Sequence, residues 1–544
     1  MKKNLYIASI VAAGLIAFSG CTDSFESDNA NKGGYTSDLQ EYDLQKYVLN
    51  LGVIQQSIYF NYDWGSGTDW PFQIIQNLEH DMFAGYFHDM NNNFNGDNSV
   101  YALNDGWTSA SWVYTYGYGM SAVQKSERIN KDQKGLMGVT KILKVELMHR
   151  LTDSYGPIVY SKFGLEEDNN VDTQEAVYKT FFEDLDEGIR LINEYKKENP
   201  DLEPFAAADI LMPAGYRTLA QWVKFANSLR LRLAIRVSVI KPDWAAAQVE
   251  KALESGVIES AKETVAVSTE SGYKNPLGTL NESWGEVFMG ATMESILNGF
   301  DDPRKIKFYA PAVGGDVKDD KGNLIIAEKI HIKGTYKGVP QGTNITIKDE
   351  NRYRLHSKST VTKKTDAVLM TAAEVWFLRA EAALRGFSNE DVKVCYENGI
   401  KTSCEQWGVN VGDYLTSEKM PTAYQDAFDA KFDMPALITI TPKWDNGAGN
   451  EEKLERIITQ KWIACYPEGY EAWTEQRRTG YPKLFKVFVN NSGNTIDTNI
   501  GIRRLPYPSD IQKSNPTQYN ALKTALGGAD NGGTRLWWDT GRNF

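Results

Sequence analysis

The stretch LMTAAEVWFLRAEA, residues 369–382, decides the fold of this chain. Met370, Ala373 and Phe377 recur three or four residues apart, which is the spacing of one apolar face of an α-helix. The many alanines allow a neighbouring helix to approach closely. The stretch therefore predicts a helix over about 369–386 that packs against other helices.

The same spacing occurs elsewhere in the chain. It predicts helices at 134–153, 173–195, 216–237 and 389–407. Thr173 is a suitable cap for the second of these, because its hydroxyl can accept from a free backbone N–H. Consecutive helices of this length indicate a scaffold of stacked helix pairs. No clean 34-residue period is present, so any repeat is degenerate.

The sequence between the helices has a different character. Residues 257–365 carry β-branched runs and glycines, and residues 320–323 resemble a hairpin turn ahead of Leu324–Ile326. We predict a mostly α fold, a tetratricopeptide-like helix-pair scaffold with a loop-rich lobe that contains short β-strands. Within a single domain at 41–544, the predicted parts are a scaffold at about 41–256 and 366–486, a lobe at about 257–365 and 408–450, and a C-terminal loop segment at 487–544.

The N-terminal segment has the features of an export signal. Lys2 and Lys3 precede an apolar run, residues 5–18, that is too short to span a bilayer. Cys21 follows small residues and resembles the acylated lipobox cysteine of bacterial lipoproteins. We predict a signal peptide at 1–20 and lipidation of Cys21. The alternative is an ordinary secretory signal with a chance cysteine.

Residues 21–40 are polar and are predicted to form a lipidated, flexible tether. The acidic, serine-rich sequence TDSFESD at 22–28 resembles the surface-export signal of outer-membrane lipoproteins. The same composition also makes a solvated linker, and both interpretations can hold together. We expect the protein to be lipid-anchored in the outer membrane and to face the cell surface.

Composition excludes several classes of partner. The formal net charge of −12 argues against nucleic acid or anionic lipid as the main partner. No segment after the signal is long and apolar enough to cross a membrane. Cys395, Cys404 and Cys465 have no Cys-x-x-Cys spacing, so we expect buried thiols and no disulfide framework.

Catalytic signatures are absent from the sequence. The five histidines form no His-Glu-x-x-His motif, and no nucleophile elbow or phosphate-binding glycine loop is present. Paired acids such as Asp301–Asp302 or Glu166–Glu167 would suit a glycosidase only if two carboxyls faced each other across a sugar. Solvated loop acids are the favoured interpretation. We predict no catalytic residue, no cofactor and no metal site.

Aromatic residues are abundant, with 14 Trp, 28 Tyr and 22 Phe, and many stand beside Asn, Asp or Glu. Flat rings take the apolar face of a sugar, and neighbouring amides and carboxylates reach its hydroxyls. For any single aromatic, burial in the core is the favoured alternative. The predicted ligand platform consists of Trp64, Trp70, Tyr86, Trp107 and Trp284, with Asp63 and Asn95 as hydroxyl partners.

An ordered set of motifs resembles the SusD/RagB family of outer-membrane nutrient-binding lipoproteins, and in particular its SusD-like subtype. Each motif is weak alone, but their order after a lipobox is specific. They are LTDSYGPIVY at 151–160, QEAVY at 174–178, DPR at 302–304, the 369–382 stretch, QKWIA at 460–464, EAW at 471–473, RRTG at 477–480 and RRLPYP at 503–508.

This resemblance implies a function without catalysis. The protein would capture a nutrient, most often a glycan, and deliver it to a SusC-like TonB-dependent outer-membrane transporter. Three alternatives stay open: a lipoprotein of the same type that loads peptides or another nutrient, a surface glycoside hydrolase, and a purely structural assembly lipoprotein. In the family the ligand site is built from variable loops, so no motif transfers a contact residue to this chain.

Overall fold

The computed structural model describes residues 45–62, 67–89, 98–165, 170–343 and 352–544. Residues Val48–Phe544 form one compact unit. The other unit is Met1–Tyr47, of which Gln45–Tyr47 are described and are helical. None of the described helices is long and apolar enough to cross a membrane.

Helices make up most of the regular structure, and two segments, Gln73–Asp81 and Thr115–Met120, are π-helical. The α-helices are α1 Gln45–Ile58, α2 Trp70–Phe72, α3 Asp105–Thr108, α4 Ala110–Tyr114, α5 Ser121–Ile129, α6 Lys134–Tyr155, α7 Gln174–Glu198, α8 Leu219–Arg236, α9 Pro242–Glu254, α10 Pro276–Glu282, α11 Ala291–Phe300, α12 Lys305–Phe308, α13 Ala372–Leu384, α14 Val392–Gln406, α15 Asn450–Cys465, α16 Gly469–Thr479, α17 Ser509–Ser514 and α18 Pro516–Leu526.

The strands are short and form antiparallel pairs. They are β1 Phe87–Asp89 with β3 Val287–Met289, β2 Val265–Val267 with β6 Ala367–Met370, and β4 Val317–Lys318 with β5 Leu324–Ile326. The last pair is the hairpin that the turn at 320–323 predicted. The mostly helical fold with short strands is therefore confirmed.

The predicted helices form at the expected places, with small shifts that have local causes. The prediction for 173–195 is confirmed by α7, whose N-terminal Ala176 N–H is capped by the Thr173 hydroxyl at 3.3 Å. The helix predicted from residue 369 begins three residues later, because Met370 ends a strand and Thr371 caps α13 through the Glu374 N–H.

Two segments predicted as loops contain helices. The lobe holds α10 and α11, and the C-terminal segment holds α17 and α18. The signal for α18 is Asn515–Pro516: the asparagine side chain accepts from the Gln518 N–H, and proline occupies the first turn. The same Asn-Pro pair starts α10 at Asn275. Apolar periodicity alone did not reveal these short, capped helices.

Consecutive helices pack as pairs: α6 with α7, α8 with α9, α13 with α14, and α15 with α16. Helices α8 and α13 also contact each other, so the α8–α9 pair is joined to the α13–α14 pair. Glycines allow the closest approach, between α6 and α7. A Cβ atom added to Gly138 would lie 2.6 Å from the Gly188 carbonyl oxygen and 2.6 Å from Ile192 Cγ1. The backbones are therefore in contact at this crossing.

Substituting Gly138 with alanine should destabilise the protein by about 1–3 kcal/mol, because the new methyl group forces α6 away from α7. The matched control is Gly52→Ala in α1, where an added Cβ meets no atom within 4 Å. That control should stabilise the protein slightly, since alanine is the better helix former. Chemical denaturation of both variants measures the two effects. An equal change in both would contradict the close approach.

Buried ion pairs connect α8 to helices that are distant in sequence. Arg232 donates from Nε to Glu374 Oε1 at 2.7 Å and from Nη2 to Oε2 at 2.8 Å. Arg236 Nη1 donates to Glu475 Oε1 of α16 at 2.8 Å. Burial acts to raise the pKa of Glu475, but Arg478, Lys461 and Arg236 hold that pKa well below its usual value. The carboxylates of Glu374 and Glu475 thus form buried ion pairs that connect α8 to α13 and α16.

Candidate ligand-binding surface

Four aromatic side chains, Tyr62, Trp70, Tyr114 and Tyr118, form one surface that we call the aromatic platform. The exposed fractions are 48% for Tyr62, 43% for Trp70 and 45% for Tyr118. The Tyr62 ring stands edge-on to Trp70 at 5.8 Å and to Tyr114 at 5.5 Å between centroids. Phe60 lies beneath and stacks on Tyr114 at 4.5 Å. A contiguous exposed aromatic patch of this kind marks an interaction site.

Local backbone structure sets the positions of these rings. Trp70 begins α2, which runs directly into the π-helical segment 73–81, and Tyr118 lies within the π-helical segment 115–120. Asn61 Nδ2 donates to Asp69 Oδ1 at 2.9 Å and holds together the two ends of the connection between Phe60 and Trp70. Wide π-type turns are frequent at functional sites, because they shift side chains out of the regular helical register.

The platform carries hydroxyl groups beside its rings. The hydroxyls of Tyr62 and Tyr114 are 2.7 Å apart. Partial burial, together with the bond to Tyr62, raises the pKa of Tyr114 above its usual value. The Tyr114 phenol is therefore neutral at physiological pH and can both donate and accept a hydrogen bond.

A cavity of about 730 Å³ adjoins the platform through Asp69, the residue before Trp70. Trp284 and Tyr273 line it together with Thr279 and Ser283. Its volume is in the range of small-molecule sites. Burial, followed by the nearby Asp69 carboxylate, raises the pKa of Tyr273, so this phenol is also neutral.

Hydrogen bonds fix the loop that carries Trp284. At the end of α10, the backbone N–H of Trp284 donates to the backbone carbonyl of Thr279 over 3.1 Å. Two residues further on, Glu286 Oε2 accepts from Gln73 Nε2 at 2.8 Å. Since Gln73 begins the π-helical segment after Trp70, this bond ties the Trp284 loop to the element that positions the platform.

The structure brings two of the predicted platform residues together and separates others. Trp70 is on the platform, and the half-buried Trp284 lines the adjoining cavity. Trp107 is also half-buried and packs behind the platform against the apolar cluster that contains Phe60. Asp63, Trp64 and Asn95 lie outside the described residues.

The placement of Tyr86 corrects one prediction. Its side chain is completely buried, its ring lies 5.0 Å from that of Trp462, and its hydroxyl donates to the Trp462 carbonyl. A ligand on the surface cannot reach it, so Tyr86 is a core residue. The prediction failed because a tyrosine whose hydroxyl finds a buried carbonyl packs as well as an apolar ring.

The ligand platform predicted from the sequence did not include Tyr62, Tyr114 and Tyr118. Their signal is visible in retrospect: Tyr114 and Tyr118 are four residues apart and therefore share one side of a helical turn. Tyr62 follows directly after an asparagine near the end of α1, where the chain leaves the core. Only the fold shows that these two segments meet.

The described ranges contain no group of three or more His, Cys, Asp or Glu side chains that could hold a metal ion. The acid pair Asp301–Asp302 has other partners. Arg304 donates from Nε to Asp302 Oδ1 at 2.9 Å in the core, and Lys419 pairs with Asp301 at 2.7 Å on the surface. The expectation that both acids are solvated is therefore wrong for Asp302. Glu166 and Glu167 lie outside the described residues.

The chain is similar over most of its length to one protein family and to several solved structures. Residues 28–539 match the family model "SusD-like: Susd and RagB outer membrane lipoprotein". Among curated proteins, none matched the chain.

Among solved structures, a SusD homologue from Bacteroides vulgatus is 52% identical with a TM-score of 0.86, and the match covers 93% of this chain and 100% of that one. A chitin-binding SusD homologue from Flavobacterium johnsoniae is 34% identical with a TM-score of 0.82, covering 91% and 98%. A SusD homologue from Bacteroides uniformis is 34% identical with a TM-score of 0.78, covering 92% and 100%. The resemblance carried by the ordered motifs is confirmed, and the chain belongs to the SusD-like family of SusD and RagB outer-membrane lipoproteins.

Proposed function

We propose that this protein binds an oligosaccharide on the aromatic platform and in the adjoining cavity, and delivers it to a SusC-like TonB-dependent transporter. The observation that carries the proposal is that Asp69 lines the Trp284 cavity and directly precedes Trp70 of the exposed platform. Stacked rings suit the C–H face of sugars, and the neutral phenols of Tyr114 and Tyr273 suit their hydroxyls. Membership of the family and the chitin-binding relative support a glycan as cargo.

In the proposed mechanism, binding does not involve catalysis. The sugar displaces water from the rings of Trp70 and Tyr62, and the cavity takes up the neighbouring unit of the chain. A lipid on Cys21 would hold the protein at the membrane, where a high local concentration of cargo at the transporter favours transfer. The transporter and the lipid anchor are parts of this proposal.

Trp70→Ala and Trp284→Ala should each weaken glycan binding about tenfold, because stacking and desolvating one sugar contributes about 1–2 kcal/mol. Their melting temperatures should stay close to that of the parent protein. Isothermal titration calorimetry against a panel of oligosaccharides, beginning with chitin fragments, measures the affinities, and thermal melts measure the stabilities.

Two controls separate a binding role from a packing role. Phe488→Ala removes an aromatic that is 38% exposed but lies outside the platform and the cavity, so it should leave the affinity unchanged. Its ring stands edge-on to that of Phe432 at 4.9 Å, so some stability should be lost without any loss of affinity. Tyr86→Ala should cost about 3–5 kcal/mol of stability without altering the affinity of the folded protein. Loss of stability without loss of binding in the two tryptophan variants would refute the site.

The same panel tests the other functions. Binding of peptides in place of glycans would keep the site but change the cargo. Release of reducing sugar from any glycan by the purified protein would instead identify a hydrolase.

A further inference from the structure

A second cavity, of about 350 Å³, lies at the C-terminal end of α16 and has an unusual charge. Among the described residues that line it, none is an aspartate or a glutamate. The chain as a whole carries a formal charge of −12, so a wall of cations is not a consequence of its composition. The six cationic residues that line the cavity are Arg477, Arg478, Lys483, Lys486, Arg503 and Arg535.

Some of these cations have carboxylate partners behind the cavity wall. Arg478 donates from Nη1 to Glu381 Oε1 at 2.8 Å. Arg503 Nε donates to Asp539 Oδ2 at 2.8 Å, and Arg535 pairs with the other oxygen of the same carboxylate. For these three arginines the role is structural, as expected for guanidinium groups that fork to carboxylates.

Arg477 has no such partner. It is only 2% exposed, and its hydrogen bonds go to the carbonyls of Trp473 and Arg503 and to the Thr474 hydroxyl. No carboxylate of the described chain lies within 4.0 Å of it. Burial lowers the pKa of Arg477 well below its usual value, although the Asp153 and Asp539 carboxylates act to raise it, so its charge is only partly compensated. An uncompensated buried charge is costly, and a bound anion would remove that cost.

Lys486 provides a second free charge at the same cavity. Its side chain is exposed, and its ammonium group donates to Asn499 Oδ1 at 2.6 Å. Within the described ranges, no carboxylate forms an ion pair with it. The neighbouring Lys483 is 3.6 Å from Glu455 and is therefore partly compensated.

We propose that this cavity binds an oxyanion group, a carboxylate, sulfate or phosphate, with Arg477 and Lys486 as its counter-ions. The buried guanidinium of Arg477 contributes positive charge from within the cavity wall, while the exposed ammonium of Lys486 contacts the group as a movable point charge. The cavity volume suits a small molecule or one acidic sugar unit. The site is separate from the aromatic platform and does not depend on the function proposed for it.

The test uses the full mature chain, with inorganic sulfate, inorganic phosphate and galacturonate as probes and galactose as the neutral comparison. Titration calorimetry is done at constant ionic strength, since screening by salt would otherwise mimic competition. We expect the oxyanions to bind and galactose not to bind. Lys486→Met should weaken binding about fivefold or more, because a charged hydrogen bond is lost.

The matched control is Lys513→Met, which removes a lysine that is 74% exposed and lies outside the cavity. It should leave oxyanion affinity unchanged. Arg477→Gln risks misfolding, because Arg477 packs 3.5 Å from the Trp473 ring, so Lys486 carries the test. Sulfate should also raise the melting temperature of the parent protein more than that of Lys486→Met.

The outcomes discriminate clearly. Binding of galacturonate that depends on Lys486 assigns the site to an acidic sugar, and binding of inorganic ions alone assigns it to a free oxyanion. The proposal is overturned if no probe binds more tightly than about 10 mM. It is also overturned if Lys486→Met and Lys513→Met bind the probes equally well.

Discussion

Replacing Arg232 with methionine should lower the free energy of unfolding by about 3–5 kcal/mol, because it leaves the buried Glu374 carboxylate without its two guanidinium hydrogen bonds. Glu471 Oε2, at 3.6 Å from Arg232 Nε, loses part of its compensation as well. Chemical denaturation measures the loss. Arg190→Met is the control, since Arg190 is half-exposed and solvent screens its pairs with Glu187 and Glu194, so that they contribute little to stability.

A second substitution and a pH series sharpen this test. Adding Glu374→Leu to Arg232→Met should recover part of the lost stability, because it removes the unpaired buried charge. Burial already raises the pKa of Glu374 above its ordinary 4.5, and loss of Arg232 raises it further. The penalty from Glu374 is therefore absent below the ordinary pKa of 4.5, grows as the pH rises above it, and is complete once the pH exceeds the raised pKa of the folded state. A loss no greater than that of Arg190→Met would contradict the central role of the pair.

Changing Cys21 to alanine should abolish lipid attachment completely and release the protein from the outer membrane. The physical reason is that the acyl chains proposed to anchor the protein are lost together with the thiol that carries them. Labelling with radioactive palmitate and fractionation of membranes measure the effect. Ser19→Ala, which keeps a small residue before the cysteine, is the control and should remain lipidated.

The partner can be tested in the same preparations. Mild detergent extraction of the parent protein should recover a TonB-dependent transporter with it, and the Cys21→Ala protein should be recovered alone from the soluble fraction. Palmitate labelling of Cys21→Ala would disprove the lipidation site. A parent protein that is extracted as a solitary species would count against the transporter.

The sequence could predict those elements that are long and periodic. The helices α6, α7, α8, α13 and α14 are long, with apolar residues at helical spacing, and the hairpin at 317–326 has a clear turn. The helices α10, α17 and α18 were missed, because they are too short to show an apolar period or bury too few residues. Asn-Pro pairs at Asn275 and Asn515 were the available signal for α10 and α18, and α17 has no such start.

The candidate site could be predicted less well, because it depends on contacts between distant segments. Tyr62 meets Tyr114 across 52 residues, and Gln73 meets Glu286 across 213. Composition predicted that some loop aromatics form a ligand platform. It could not distinguish Trp70, which is exposed, from Tyr86, which is buried, since both stand in the same kind of polar and aromatic context.

The ion pairs that join α8 to α13 and α16 have a consequence for how the chain folds. Arg232 and Arg236 find their partners 142 and 239 residues later. Contacts of such long range form late, since a large loop must close before they stabilise anything. During synthesis Arg232 and Arg236 therefore stay solvated until their partners Glu374 and Glu475 have emerged. For a polypeptide that leaves the cytoplasm, as we propose here, this delay keeps it unfolded until it has been exported.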